Sequence, residues 1–523
     1  MLRIRPRSLL LLTALATLIS CGDDGPVEPA GPEPASMSIT AGNGQNAAAS
    51  AEVAVAPTVR VLDEDDAPIA GVTVTFAVGA GGGTITGATP KTNSTGHASV
   101  GSWTLGAAGG ANTLTAAVSG LPAVTFNATA QAPSAVPANV TLYVGGGQTA
   151  QVSTPIPVTP TVLVTDAGGE PVQFATVTFT VEGGGGSVVN AVRTTDADGL
   201  ARVTAWRLGP NAGLNTLRAT VAGLPPVDVT ATGRPLDTGS FNITLRFVSI
   251  VTPAQYAVFE QARERWEEVI TGELSNIPVS NQLLCTGAPT ATETLDDVVI
   301  FVNLVGIDGP GKVLASAGPC AARTSNGLPV AGVMNFDTDD LGASPELFRD
   351  VILHEMGHVL GIGSLWNYDN NGVPVRTLLT GGGSDDPYFT GAGAVAAFDV
   401  AGGNVYAGNK VPVENTGDVG GGTRDSHWRE ATTGSAGGLA NELMTGFVSS
   451  TGPNPLSAIT IASLADMGYT VNTAAADAYV WTDGSALRLH AGEDRREIGE
   501  APLTSPILLF GDDGRVDGSI ERR

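Results

Sequence analysis

The sequence predicts a multidomain chain: two all-β sandwiches followed by one α+β domain. Three observations predict it. Residues 36 to about 236 contain an internal repeat at a constant offset of 103, with no gap. Within each copy, short alternating runs are separated by Gly, Asp and Pro turns. Beyond residue 239 the pattern changes to strands interleaved with helical stripes.

Residues 1–21 read as a targeting segment outside the fold. Arg3, Arg5 and Arg7 form a basic n-region, and Leu9 to Leu18 an apolar stretch. Leu18-Ile19-Ser20-Cys21 resembles a bacterial lipobox, which implies that Cys21 is lipidated and becomes the first residue of the mature protein. Residues 22–35 are Pro, Gly and acid without an apolar period, and read as a disordered tether. Exported protein, lipid-anchored at the cell envelope, is the expected location; Gly22 after the lipobox Cys favours the outer membrane or cell surface.

Length and composition agree with this. A chain of 523 residues predicts about three or four domains. A formal charge of −25 argues against a nucleic-acid partner. Of the three cysteines, Cys21 takes the lipid. Cys285 and Cys320 remain as a candidate disulfide in an oxidising compartment, the alternative being two buried thiols.

The repeat pairs Gln45 with Gln148, Pro57 with Pro160, Asp63 with Asp166, Phe76 with Phe179, Trp103 with Trp206 and Asn112 with Asn215. A unit of about 100 residues is a domain and not a solenoid repeat. The runs Val72–Phe76 and Thr176–Phe179 alternate as sandwich strands do. Both copies, 36–133 and 137–236, resemble bacterial Ig-like domains of the invasin and intimin type. That resemblance implies either adhesion to a surface ligand or a stalk, and the stalk is favoured because neither copy displays a site. His97 reads as a surface turn residue.

The α+β domain is expected over 239–475. Phe241–Phe247 alternates as a strand, and Thr252-Pro253 caps a helix running to about Thr271 with Tyr256, Phe259, Arg263, Trp266 and Ile270 on one stripe. Val298–Leu304 and Gly332–Phe336 follow as strands. The latter, just before the next helix, is expected as the edge to which a peptide would pair.

That next helix carries His354-Glu355-Met356-Gly357-His358. Positions i and i+4 lie about 40° apart and roughly 6 Å along a helix, so two imidazoles can grip one Zn²⁺ while Glu355 reaches a water beside it as general base. Ser344-Pro345-Glu346 opens the helix, Leu347, Val351, Ile352 and Leu360 give it an apolar face, and Gly361 stops it.

A catalytic zinc needs three protein ligands and one open position. The compact metzincin motif places the third His six residues after the second, where this chain has Ser364. His427 and His490 remain. His427 sits in Asp425–Glu430, and Glu442-Leu443-Met444-Thr445-Gly446 follows, with Met444 in a tight turn. A Met-turn beneath the metal is a further metzincin mark.

This set resembles the leishmanolysin family, in which an insertion separates the second His from the third. The resemblance extends to Asp385–Gly391, Val411–Asn415, Asn441–Gly446 and Ala462–Tyr469, and spans roughly 240–472. It implies a metzincin (zincin) domain with one zinc on His354, His358 and His427, Glu355 as general base and Met444 as hydrophobic floor. Glu430 or Glu442 as an acid ligand is the weighed alternative, and His490 reads as structural. No propeptide Cys that would cap the zinc is evident. The implied activity is a zinc endopeptidase acting on protein or peptide; the rivals are an envelope adhesin with an inert zincin domain, or a zinc amidase. Residues 476–523 are expected as a small β appendage, and Asp369–Gly372 as a turn.

Overall fold

The computed structural model describes residues 33–236, 239–342, 345–370, 373–405, 409–415, 423–430, 438–449, 452–481, 495–499 and 503–521. Cys21, the rest of the targeting segment, Ser344, Asn371, Gly372 and His490 lie outside the described residues. The chain divides into two compact units, one ending at Ala132 and one beginning at Pro133.

In the first unit, Ser36–Ala41, Thr58–Leu62 and His97–Ser99 form one sheet. Gln45–Ala48, Val124–Gln131, Gly110–Ala117 and Thr75–Val78 form the other. The chain changes sheets early, so that Gln45–Ala48 runs parallel to the last strand. Alternate residues point inward, and Val59, Val61, Trp103, Leu114 and Phe126 fill the space between the sheets. The second copy repeats this with Trp206, Leu217 and Val229.

The matched residues perform the same task in each copy. Gln45 donates to the Gly42 and Val55 carbonyls and accepts from Val55 N; Gln148 does so with Gly145 and Val158. Asn112 Oδ1 accepts from Gly106 N, and Asn215 Oδ1 from Gly209 N. The offset in sequence thus reports shared turn chemistry.

The second sandwich and the α+β domain share one core. Val144 and Val158 join the cluster that contains Phe241, Ile243 and Phe247. Phe247 N donates to Pro157 O at 3.1 Å, and Arg202 Nη2 to Val248 O at 2.9 Å. Arg234 lies 3.7 Å from Asp296.

The α+β domain is built on a mixed six-stranded sheet. Its order is Ile243–Phe247, Val298–Val305, Pro329–Asp337, Ala315–Arg323, Ile507–Phe510 and Val516–Ile520. Helix α1 (Pro253–Val269) begins with a Thr252/Gln255 capping box and buries Phe259, Ala262, Trp266 and Val269. Helix α2 (Pro345–Val359) packs beside it, with Trp266 Nε1 donating to Leu353 O at 3.0 Å. Phe259 meets Phe336 and Phe348 edge to face at 5.2 and 5.7 Å, which joins α1, sheet and α2.

Two expectations change. The strand before α2, Pro329–Asp337, is no edge. It pairs in parallel with Val298–Val305 and antiparallel with Ala315–Arg323, because residues 315–337 fold back as a hairpin on its outer side. Nor do the last residues form a separate appendage: Ile507–Phe510 pairs with Ala321–Arg323 and Val516–Ile520 extends the sheet. Cys285 and Cys320 are bonded, Cα atoms 5.2 Å apart, and fasten the 283–290 loop to that sheet. Among the described residues, no helix is long and apolar enough to cross a membrane.

Asp297 sits under the sheet beside Glu273 and Asp296, its two oxygens accepting from Leu274 N and Asn242 N at 2.7 Å. Burial outweighs those two bonds and pushes its carboxyl from 3.8 up to about 7. A raised acid stabilises the fold when protonated. Its contribution is therefore full below about pH 4 and is lost as pH rises to about 7. The advantage of wild type over Asp297→Asn in denaturant midpoint is expected to shrink across that range; an advantage that grows contradicts the assignment.

Candidate metal centre

The site is built on the last turns of α2. His354 and His358 lie one turn apart and both are buried. Between them, Gly357 faces Met444. A Cβ there would lie 2.7 Å from Met444 Sδ and 2.9 Å from its Cε, so any larger residue would displace the methionine end that rests under the helix. A methyl forced into that contact is overpacking of a kind that costs about 1–3 kcal/mol.

The chain then leaves the helix through two left-handed glycines, Gly361 (φ +102°) and Gly363 (φ +79°). Gly363 receives the segment that carries the third histidine: a Cβ there would sit 2.2 Å from Ser426 O. The intervening insertion is folded. Asn367–Asn370 and Val373–Thr377 form a hairpin, Leu379–Thr380, Tyr388–Phe389 and Val411–Pro412 a small sheet, and helix α3 (Ala392–Ala401) falls in the chain between the last two of these strands. Its return leg is held on both sides. Glu414 N donates to His427 O at 2.9 Å, and Trp428 N to Met444 O at 3.0 Å. Trp366 stacks on Trp428 at 5.0 Å, with Phe389 edge-on at 5.4 Å.

The result is a triangle of nitrogens. His354 Nε2 lies 2.9 Å from His358 Nε2 and 3.1 Å from His427 Nε2, and the last two are 3.0 Å apart. Each opposite nitrogen faces a carbonyl. His354 Nδ1 donates to Leu443 O at 2.7 Å, His358 Nδ1 to Ile362 O at 3.0 Å, and His427 Nδ1 to Thr423 O at 2.9 Å. A carbonyl can only accept, so it favours the proton on Nδ1 and the lone pair on Nε2; Ser426 Oγ, which donates to Thr423 O at 3.1 Å, also meets His427 Nδ1 at 2.8 Å. Three lone pairs converging at this spacing suit a cation. Zn–N bonds of about 2.05 Å in tetrahedral geometry put the nitrogens roughly 3.3 Å apart, a few tenths of an ångström from what is seen. The donor set therefore fits a zinc ion, and it is reached with all three rings and Glu355 buried.

Met444 is fully buried in the turn below, as its neighbours lead one to expect. Ser364, in the position of the compact motif's third ligand, directs its hydroxyl to His358 O at 3.4 Å. Glu442 is turned away from the metal position, its oxygens taken up by Met444 N, Ser457 and Thr460. Glu430 is buried but is not part of the three-histidine group. Glu273, Asp296 and Asp297 form a second cluster of carboxylates within 4.8 Å, on another part of the domain. Sequence reasoning missed Gly363, Glu414 and Trp428 as supports of His427. The G-x-G after His358 and the paired Glu414-Asn415 and His427-Trp428 were the available signals.

The leishmanolysin peptidase family model matches residues 275–493. Among solved structures, the chain is similar to the D0–D1 domain of intimin at 22% identity, over 38% of this chain and 95% of that one, with a TM-score of 0.16. It is similar to the Yersinia pseudotuberculosis adhesin InvE at 20% identity, over 38% and 59%, with a TM-score of 0.19. Invasin, a bacterial integrin-binding protein, matches at 22% identity over 40% and 43%, with a TM-score of 0.18. The chain thus spans less than two thirds of the InvE and invasin chains. No curated protein matches it. The family match takes in α2, His427 and the Met444 turn, and over that stretch the chain is similar to the leishmanolysin peptidases.

Proposed function

We propose that this protein is a zinc-dependent endopeptidase, exported and held at the bacterial cell envelope by a lipid on Cys21, with the two sandwiches as a stalk. The catalytic part rests on one observation: three buried imidazoles with converging Nε2 atoms, next to Glu355, in a domain of a peptidase family. The anchor rests on the lipobox-like Leu18–Cys21 and the acidic, Pro-rich tether after it.

His354, His358 and His427 would hold the ion, with the carbonyls of Leu443, Ile362 and Thr423 keeping each ring in the ligating tautomer. A bound zinc supplies a Lewis acid that polarises a scissile carbonyl and brings water towards ionisation near neutral pH. Glu355 follows His354 on α2; it takes the proton of the attacking water and passes it to the leaving amine. Met444 and the Trp366/Trp428 stack keep the underside of the site apolar.

The full chain should copurify with about one zinc and cleave casein or a mixed peptide library. Glu355→Ala should keep the metal and lose activity by about 10²–10⁴-fold. Full activity in Glu355→Ala removes its role, and a wild-type chain without bound zinc removes the reading. Gly363→Ala should push Ser426 away and weaken zinc binding by about 10–100-fold. Competition against a chelator measures it, and an unchanged affinity would mean that Gly363 does not set the position of His427.

A further inference from the structure

We infer that Glu442 is the positioning residue of the metal centre, acting on His354 through a peptide unit and on His427 through Thr460 and Trp428. The inference rests on the zinc reading above.

The carboxylate of Glu442 is fully buried. Oε2 accepts from Met444 N at 2.7 Å. Oε1 accepts from Ser457 N at 3.1 Å, Ser457 Oγ at 2.7 Å and Thr460 Oγ1 at 2.6 Å. Met444 N and Leu443 O are the two ends of a single peptide unit, and Leu443 O is the acceptor for His354 Nδ1 at 2.7 Å. One arm therefore runs from carboxylate to peptide to imidazole. An accepting carboxyl oxygen at the N–H end polarises the peptide and makes its carbonyl a stronger acceptor. Metal-binding histidines are commonly steadied by a carboxylate on the far nitrogen, and here that carboxylate acts one peptide away.

The other arm runs to the third histidine. Thr460 Oγ1 gives its hydrogen to Glu442 and accepts from Trp428 Nε1 at 2.7 Å. Trp428 follows His427, and its own N–H donates to Met444 O at 3.0 Å. A single carboxylate thus fixes the Met-turn, the N-terminus of helix α4 (Ala458–Met467) and the segment bearing His427. Every group that meets it offers a hydrogen. A glutamine would turn a donor on one side and leave Met444 N or Ser457 N without an acceptor.

The test uses the full chain, with Zn²⁺ affinity by chelator competition and the visible absorption of the Co²⁺-substituted protein as readouts. Glu442→Gln is expected to weaken Zn²⁺ by about 10–100-fold and to alter the cobalt spectrum. Thr460→Val, which cuts only the Trp428 arm, should weaken it less, and Thr460→Ser should restore it. Ile300→Ala, in the interior of the sheet, should lower the thermal midpoint and leave both readouts unchanged. Glu442→Gln that loses stability while keeping zinc affinity and cobalt spectrum would overturn the proposal and leave the zinc reading standing. Should Glu442→Gln fail to fold, the Thr460 pair decides, and equal affinities for Val and Ser there would overturn it. A wild-type chain that takes up neither metal overturns both.

Discussion

Three histidines held with their Nε2 lone pairs within 3.1 Å of one another are the constraint around which this domain is arranged. Backbone carbonyls face the Nδ1 atoms of all three rings and favour a proton there, because a carbonyl can only accept; Ser426 Oγ also meets His427 Nδ1 at 2.8 Å. The carbonyls come from three separate places: the Met-turn, the exit of α2 and the return of the insertion. The centre therefore exists only when all three are correctly placed, and packing outside it can be read as the means of placing them.

Those means are mostly close approaches. Gly357 admits Met444 to the helix surface, and Gly363 admits the Ser426 backbone. Trp266 joins α1 to α2 one residue before His354, and Tyr469 Oη donates to Leu360 O, where α2 ends. Arg376 donates to Leu365 O and Met467 O, tying the start of the insertion to α4. The helix bearing two ligands is thus clamped on several sides, consistent with a site preorganised before any ligand arrives. The second sandwich shares the same core, so the domain carrying the site meets that sandwich through packed side chains as well as through the chain itself.

Much of this was legible in the sequence for definite physical reasons. The i, i+4 spacing of His354 and His358 survives as geometry because a helix converts sequence distance directly into position. The repeat was legible because Gln45 and Gln148, like Asn112 and Asn215, each fasten a turn of the same shape. His427 could be found because Ser364 removed the nearer place and the resemblance supplied the distance. What stayed hidden depends on contacts across long stretches of chain. Glu442 reads in sequence as a candidate metal ligand; only the fold reveals that four donors surround it. The interior position of Pro329–Asp337 follows from a hairpin doubling back, and the docking of Ile507–Phe510 on Ala321–Arg323 joins residues nearly two hundred apart, neither of which local periodicity encodes.

The central claim is that these three imidazoles, and no carboxylate or thiolate, bind the metal. Zinc-edge X-ray absorption on the full chain tests it most directly. Three nitrogen scatterers with imidazole multiple scattering at about 2.0–2.1 Å and one further light atom are expected, with one imidazole lost in His427→Ala. A sulfur shell near 2.3 Å, or a spectrum unchanged by His427→Ala, would contradict it.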